Sequence, residues 1–415
     1  MSPRPAAPLP ARPPRVTPWG LVGLGAGLAA AGAGVAVGVA ADRVHSRRRQ
    51  AEAVFDREGL ALLGAVRGEE YVLHTDDGVR LHVEVDEPGP RDAGEAPCLT
   101  VVLVHGYGLS SQSWHFQRLS LRGRYRVVTY DQRGHGRSEP GPSGSARIPR
   151  LGRDLEAVLD AYAPEGPVVL VGHSMGGMTV MSLAAQRPDL FGDRVHGVGF
   201  VATSAGDLGS LDFGLPGGGA VTRVAPNLLA LLARRPELVT RGRRMVSDIE
   251  TLVVRRWSFA SPVPSELTRF VADIIASTSI EVVSDYLPGF TEHDEKEALA
   301  VLDDLPTLVL VGDQDRMTPP RHSDEIVRML PGTAHVVVRQ AGHLVMLEHP
   351  DVVNGHVLDL VARALRHARR PTGEQLTALA SASTAKGRGR RRRALAEAAD
   401  AVQRLVGRPL ENRGA

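Results

Sequence analysis

The sequence predicts a mostly parallel, doubly wound α/β sheet with a helical lid insertion, and three observations predict it. Short runs of Val and Leu, apolar without alternation, recur through the middle of the 415-residue chain. Stretches of helical pattern separate them, and from residue 207 to about 300 the alternation gives way to apolar and Arg-rich helical sequence. Continuous apolar runs are what strands covered on both faces look like, and strand–helix alternation is the pattern of a doubly wound sheet.

In chain order, YVLHTDDGVRLHVEV (71–85) reads as two alternating strands around an Asp-Asp-Gly turn. LTVVLVHG (99–106), YRVVTYD (125–131), PVVLVGHS (167–174), VHGVGFVAT (195–203), PTLVLVGDQD (306–315) and HVVVRQAGH (335–343) read as mostly buried strands. Helical patterns lie between them at 148–164 and 175–189. The insertion at 207–300 is expected over the carboxyl ends of the strands, where open α/β sheets place ligands. No repeat with a period of 20–50 residues is present, which excludes solenoids and propellers.

Both ends read as separate from this body at 69–368. Residues 1–18 form a Pro- and Arg-rich leader, 19–41 an uncharged run of Gly, Ala, Val and Leu, and 42–68 a basic linker or helix. The run is long enough to cross a bilayer as a helix, and arginines bound it on both sides. The expectation is therefore a single-pass membrane anchor with the body in the cytoplasm. The alternatives are a signal peptide cleaved from a secreted protein and a flexible Ala/Gly tail. Residues 369–415 form a basic low-complexity tail with a short amphipathic helix; its six basic residues between Lys386 and Arg393 suit contact with anionic lipid.

Composition narrows the function. Hydrophobic residues make up 43% and charged residues 23%, a globular balance that excludes a wholly disordered chain. The 49 Lys and Arg against 47 Asp and Glu leave +2, too little to imply a nucleic-acid partner. A single cysteine, Cys98, excludes an intramolecular disulfide framework and a Cys-based zinc site.

The chemistry is carried by GHSMGG (172–177), which follows a strand and opens a helix. A G-x-S-x-G sequence in that setting is a nucleophile elbow, a turn so sharp that the residues two before and two after the serine must be small. It lifts the Ser174 hydroxyl clear of the sheet at a helix N-terminus, whose free N–H groups favour developing negative charge. Serine needs a base, and the base needs a carboxylate to orient it. In the order Ser, acid, His, the candidates are Asp315 and His343, each just after a strand and so at the same sheet edge as Ser174. Asp313 and Asp207 are the competing acids; Asp313 suits a turn or capping role. The oxyanion requires backbone donors, expected from Met175 and from the loop HGYG (105–108), most directly Tyr107.

At this point the chain resembles the α/β-hydrolase fold family, over roughly residues 69–368. The motifs follow in order: HGYG at 105–108, YDQRGHGRS at 130–138, GHSMGG at 172–177, GDQDRMTPP at 312–320 and AGHLVMLEHP at 341–350. The resemblance is to the serine-hydrolase branch of esterases, lipases and cofactor-free haloperoxidases. It implies Ser174, Asp315 and His343 as triad and Tyr107 and Met175 as oxyanion donors. Epoxide hydrolases and haloalkane dehalogenases carry aspartate where this chain has Ser174, which disfavours both.

The expected function is cleavage of a carboxylic ester through an acyl-enzyme, the substrate being an apolar small-molecule ester, with no metal or organic cofactor. Perhydrolysis on the same triad and a non-catalytic binding protein of the same fold are the alternatives. His105, His135 and His173 are expected to order loops, and Asp131 and Arg133 to form an ion-paired loop. Trp114 and Tyr107 suit either substrate contact or packing, as do Phe213, Leu228, Leu229, Leu231, Trp257 and Phe259.

Overall fold

The computed structural model of the protein describes residues 57–89, 99–208 and 257–369. Eight strands form one sheet: β1 (Glu69–His74), β2 (Arg80–Asp86), β3 (Thr100–Val104), β4 (Arg126–Tyr130), β5 (Val168–His173), β6 (Val195–Val201), β7 (Thr307–Gly312) and β8 (Ala334–Val338). Their order is β1-β2-β4-β3-β5-β6-β7-β8. The expected hairpin is there, with Leu73 opposite Leu81 and the turn at Asp76–Gly78, and β2 also joins β4 antiparallel. Every other neighbouring pair is parallel.

Alternation of side chains across the strands explains the continuous apolar runs. In β3, Val101 and Leu103 enter one buried cluster while Val102 and Val104 enter another on the opposite face; β5 divides its residues in the same way. The first face is covered by α2 (His115–Leu121), α5 (Ser265–Ser277), α8 (Val345–Glu348) and α9 (Pro350–Ala368). The second is covered by α3 (Ile148–Tyr162), α4 (Met175–Gln186) and α7 (Pro320–Met329). Among the described residues, α6 (Ile280–Glu292) and the short turn at Glu297–Leu302 also lie between β6 and β7; α1 (Arg57–Ala61) precedes β1.

One topological detail positions the site. The chain winds from β3 to β4 on one side, then crosses to β5 on the other side of β3. Loops leaving β3 and β5 therefore diverge, opening a crevice at their carboxyl ends.

Among the described residues no helix is long and apolar enough to cross a membrane, so the single-pass membrane location with a cytoplasmic body is withdrawn; the run at 19–41 on which it was built lies outside the described residues. The basic segment 386–393 and its lipid contact, together with Phe213, Leu228, Leu229, Leu231 and Cys98, lie outside them too. From 257 to 300 the insertion is helical. Its α6 lies over the loops that leave β3 and β4: Val282 packs on Gly134, and Gly289 on the backbone at Ala146 and Arg147.

Candidate active site

Ser174 stands between β5 and α4 with φ 50° and ψ −119°, the left-handed side of backbone space that a serine occupies only under constraint. Such a residue costs about 1–3 kcal/mol and persists where its surroundings over-determine it. Here its N–H donates to Val201 O (2.9 Å), and its carbonyl accepts from Thr203 Oγ1 (2.7 Å) and Gly177 N (2.8 Å). The small flanking residues are explained by contact: a Cβ on Gly176 would lie 2.1 Å from Val104 O, and one on Gly172 2.4 Å from Gly176 O.

Behind the serine, His343 leaves β8 on the turn Gln340–Gly342, and Asp315 leaves β7. His343 Nδ1–H donates to Asp315 Oδ2 at 2.9 Å, with both residues buried. That bond leaves Nε2 with its lone pair, the form a base requires. Three further donors hold the carboxylate: Met317 N and Thr318 N on Oδ1 (2.8 and 2.9 Å), and Thr318 Oγ1 on Oδ2 (2.9 Å). Among the described residues no hydrogen bond joins the Ser174 hydroxyl to His343; such bonds are often long at rest and tighten with substrate. The competing acids stand elsewhere. Asp313 is exposed and accepts from Ala341 N (3.3 Å), a turn role, and Asp207 is exposed and paired with Lys296.

The loop 105–108 is pressed against the elbow. A Cβ on Gly106 would meet His173 Nδ1 at 2.6 Å and Ser174 Cβ at 3.2 Å, so the backbone leading to Tyr107 N–H runs beside the serine. Met175 N–H opens α4, where helix geometry provides no acceptor. The Tyr107 side chain reaches α6: its hydroxyl donates to Val283 O, and its ring meets Phe290 edge-on at 5.0 Å. Trp114 is fully buried against the His173 ring, and Phe259 is buried in the core, so both pack.

Histidines organise the surroundings, in neutral form. Burial pushes His105, His135 and His173 below the ordinary imidazole range, His135 to about 3. His173 Nε2–H therefore donates to the His343 carbonyl (3.0 Å), while its ring lies 4.8 Å from that of His343. His105 Nδ1–H donates to Gly106 O (2.7 Å), and its Nε2 accepts from Gln132 N (2.8 Å).

Asp131 and Arg133 do not pair with each other as expected. Asp131 accepts from the backbone of Ser111 (2.7 Å) and Arg137 (2.9 Å). Buried Arg133 instead grips Asp154 and Asp77 with both arms of its guanidinium. Burial opposes its charge, but the bonds to Asp154 and Asp77 outweigh that and raise its pKa. Sequence spacing hides this pairing, because Asp77 and Asp154 lie 56 and 21 residues away. Elsewhere, Glu70, His82 and Glu84 each bring a ligand atom within 4.8 Å of the others. Arg137 and Arg118 already pair with Glu70 and Glu84, and their charge opposes a cation there.

Comparison with known proteins bears on this arrangement. The chain is 27% identical over 263 residues to mouse sn-1-specific diacylglycerol lipase ABHD11, covering 62% of the chain and 79% of the lipase. It is 40% identical over 142 residues to epoxide hydrolase B of Mycobacterium tuberculosis, covering 34% and 36%. The polyketide synthase ThaQ of Burkholderia thailandensis is 27% identical over 342 residues, 80% of the chain; the chain spans 15% of that synthase's length. Among solved structures, the enol-lactonase of Burkholderia xenovorans LB400 superposes with a TM-score of 0.56 at 26% identity, over 70% of this chain and all of that one (100%). The profile of the Alpha/beta hydrolase family matches residues 101–356, a span that takes in the elbow, both candidate partners of Ser174 and the loop at 105–108, and the chain belongs to that family.

Proposed function

We propose that the protein is a serine hydrolase that cleaves a carboxylic ester through an acyl-enzyme. The observation that carries this is the His343–Asp315 hydrogen bond at the same sheet edge as a serine held at positive φ on a helix N-terminus. In this reading His343 Nε2 takes the Ser174 proton as Oγ attacks the acyl carbon, and the Met175 and Tyr107 N–H groups hold the oxyanion. His343 then protonates the departing alcohol. Water enters, loses its proton to Nε2, attacks the acyl-enzyme, and Ser174 recovers its proton as the acid leaves. Asp315 keeps the imidazole in its Nδ1–H tautomer and stabilises the imidazolium.

The substrate is read as an apolar small-molecule ester. The names of the lipase and the enol-lactonase support the ester bond in that reading. The epoxide hydrolase match favours an epoxide over about a third of the chain, but Ser174 stands at the attacking position, and an acyl carbonyl suits a serine with oxyanion donors. The helices at 257–300 are read as a lid over the site.

The test is Ser174→Ala. Turnover of p-nitrophenyl esters and covalent labelling by a fluorophosphonate are both expected to disappear while the fold is kept. Undiminished ester turnover in that variant would sink the proposal.

A further inference from the structure

A carboxylate outside the triad joins two parts of the site. Glu348 lies at the end of α8, is 3% exposed, and faces three backbone N–H groups from two distant segments. Its Oε1 accepts from Ala260 N (2.8 Å) and from Ser261 N, and its Oε2 accepts from Gly342 N (2.6 Å). Ala260 and Ser261 lead into α5, whose Leu267, Val271 and Ile274 are buried in the core. Gly342 immediately precedes His343.

The two segments also touch directly. Leu344 N donates to Ser258 O (2.9 Å), and a Cβ on Gly342 would lie 2.7 Å from that oxygen and 3.0 Å from Ala260 N. Glycine at 342 is thus required by close approach of two backbones. Three converging N–H donors need an acceptor-only group; an amide would turn its own NH2 against one of them. An ionised carboxylate with two oxygens spanning the gap fits this geometry, and its bonds are of the stronger, charge-assisted kind.

Resting on the serine-hydrolase reading, we propose that Glu348 is a positioning residue: it welds the segment entering α5 to the loop carrying His343, and so fixes the reach of the base toward Ser174. The weld ties the helices beside the site to the imidazole, so a shift of Ser258–Ser261 is carried into the His343 backbone. A displacement near 1 Å in such a site costs up to about 100-fold in rate.

The experiment compares wild type, Glu348→Gln and the milder Glu348→Asp, which keeps the charge but is one methylene too short to bridge both segments. Rates on p-nitrophenyl acetate are divided by sites counted with a fluorophosphonate, and amide exchange is followed at Ala260, Ser261 and Gly342. Expected for Glu348→Gln is a fall in kcat per labelled site of about 10- to 100-fold with KM within about twofold, and joint loss of protection at the three amides. Glu348→Asp is expected to fall between, and it carries the test if the glutamine variant does not fold. Unchanged kcat per labelled site, with the amides deprotected, would make Glu348 purely structural and overturn the proposal; so would full protection at Gly342 in both variants. If wild type neither labels nor turns over ester, the parent reading fails, and the exchange arm alone still supports or overturns the weld.

Discussion

Four donors converge on the two oxygens of Asp315, from Met317 N, Thr318 N, Thr318 Oγ1 and His343 Nδ1. Their arrangement leaves the carboxylate one task, to hold the imidazole. Asp315→Asn can keep the bonds to Met317 and Thr318 but presents an NH2 toward His343 Nδ1, favouring the tautomer whose Nε2 is already protonated. The expected outcome is a loss in kcat on the order of 10⁴-fold with an unfolding midpoint close to wild type, checked by ester kinetics and urea denaturation. Equal kcat would remove Asp315 from the proposed triad. That Asp315 rather than Asp313 would meet His343 was legible through the family resemblance, in which the last aspartate of the G-x-x-D in GDQDRMTPP is the acid. Thr318 was not, since its role depends on the fold of the loop after β7. The Arg133 pairing was hidden for the same reason: its partners come from the β1–β2 turn and from α3.

Strands were the most legible elements. The runs of Val and Leu mark β3, β5 and β7 to within one to three residues of their ends, because these strands are buried on both faces and are mostly apolar, with Thr100, His173 and Thr307 as buried polar residues at their ends. Sheet order and the antiparallel β2–β4 pairing were not legible, because pairing depends on contacts across the fold that local pattern does not encode. The elbow sits between these extremes: the small residues of GHSMGG are visible in sequence, but which atoms demand them is not. Gly176 shows the demand most sharply, with Val104 O only 2.1 Å from where a Cβ would sit. The obstacle is backbone of a central strand, which cannot rotate aside as a side chain can. Gly176→Ala is expected to destabilise the protein by at least about 1–3 kcal/mol, read from the urea midpoint, and to lower fluorophosphonate labelling of the fraction that folds. A variant as stable as wild type would mean that β3 and α4 are free to separate.

At the scale of the whole molecule, the net charge of +2 hides an asymmetry between buried and exposed ionisable groups. His105, His135 and His173 are fully buried and held neutral, with pKa values below the ordinary 6.5; His135 is pushed to about 3 by burial and by neighbouring His105. In the unfolded chain each takes a proton as pH falls through 6.5, while in the folded protein it does not. The unfolded state then binds more protons, so the stability these histidines lend is complete above pH 6.5 and is lost progressively as pH falls toward their folded values. Glu84 adds to the loss lower down. Burial raises its pKa, but bonds from His82, Gly68 and Arg118 outweigh that and bring it to about 2, so its contribution fades below 4.5. Glu348 acts in the opposite sense, because burial raises its pKa and the folded state takes its proton first. His105, His135 and His173 together are expected to contribute a slope of about 4 kcal/mol per pH unit at most between pH 6 and 5, from about 1.4 kcal/mol per group, and His115, His196, His293 and His322, whose pKa values burial also lowers, act in the same direction. Urea midpoints at pH 7.5, 6.0 and 5.0 check this, and His135→Gln should flatten the curve by about one group's share. Stability that stays level from pH 7 to pH 5 would show that water or local opening lets these rings charge within the fold, and the tautomers assigned to His105 and His173 around the proposed site would have to be revised.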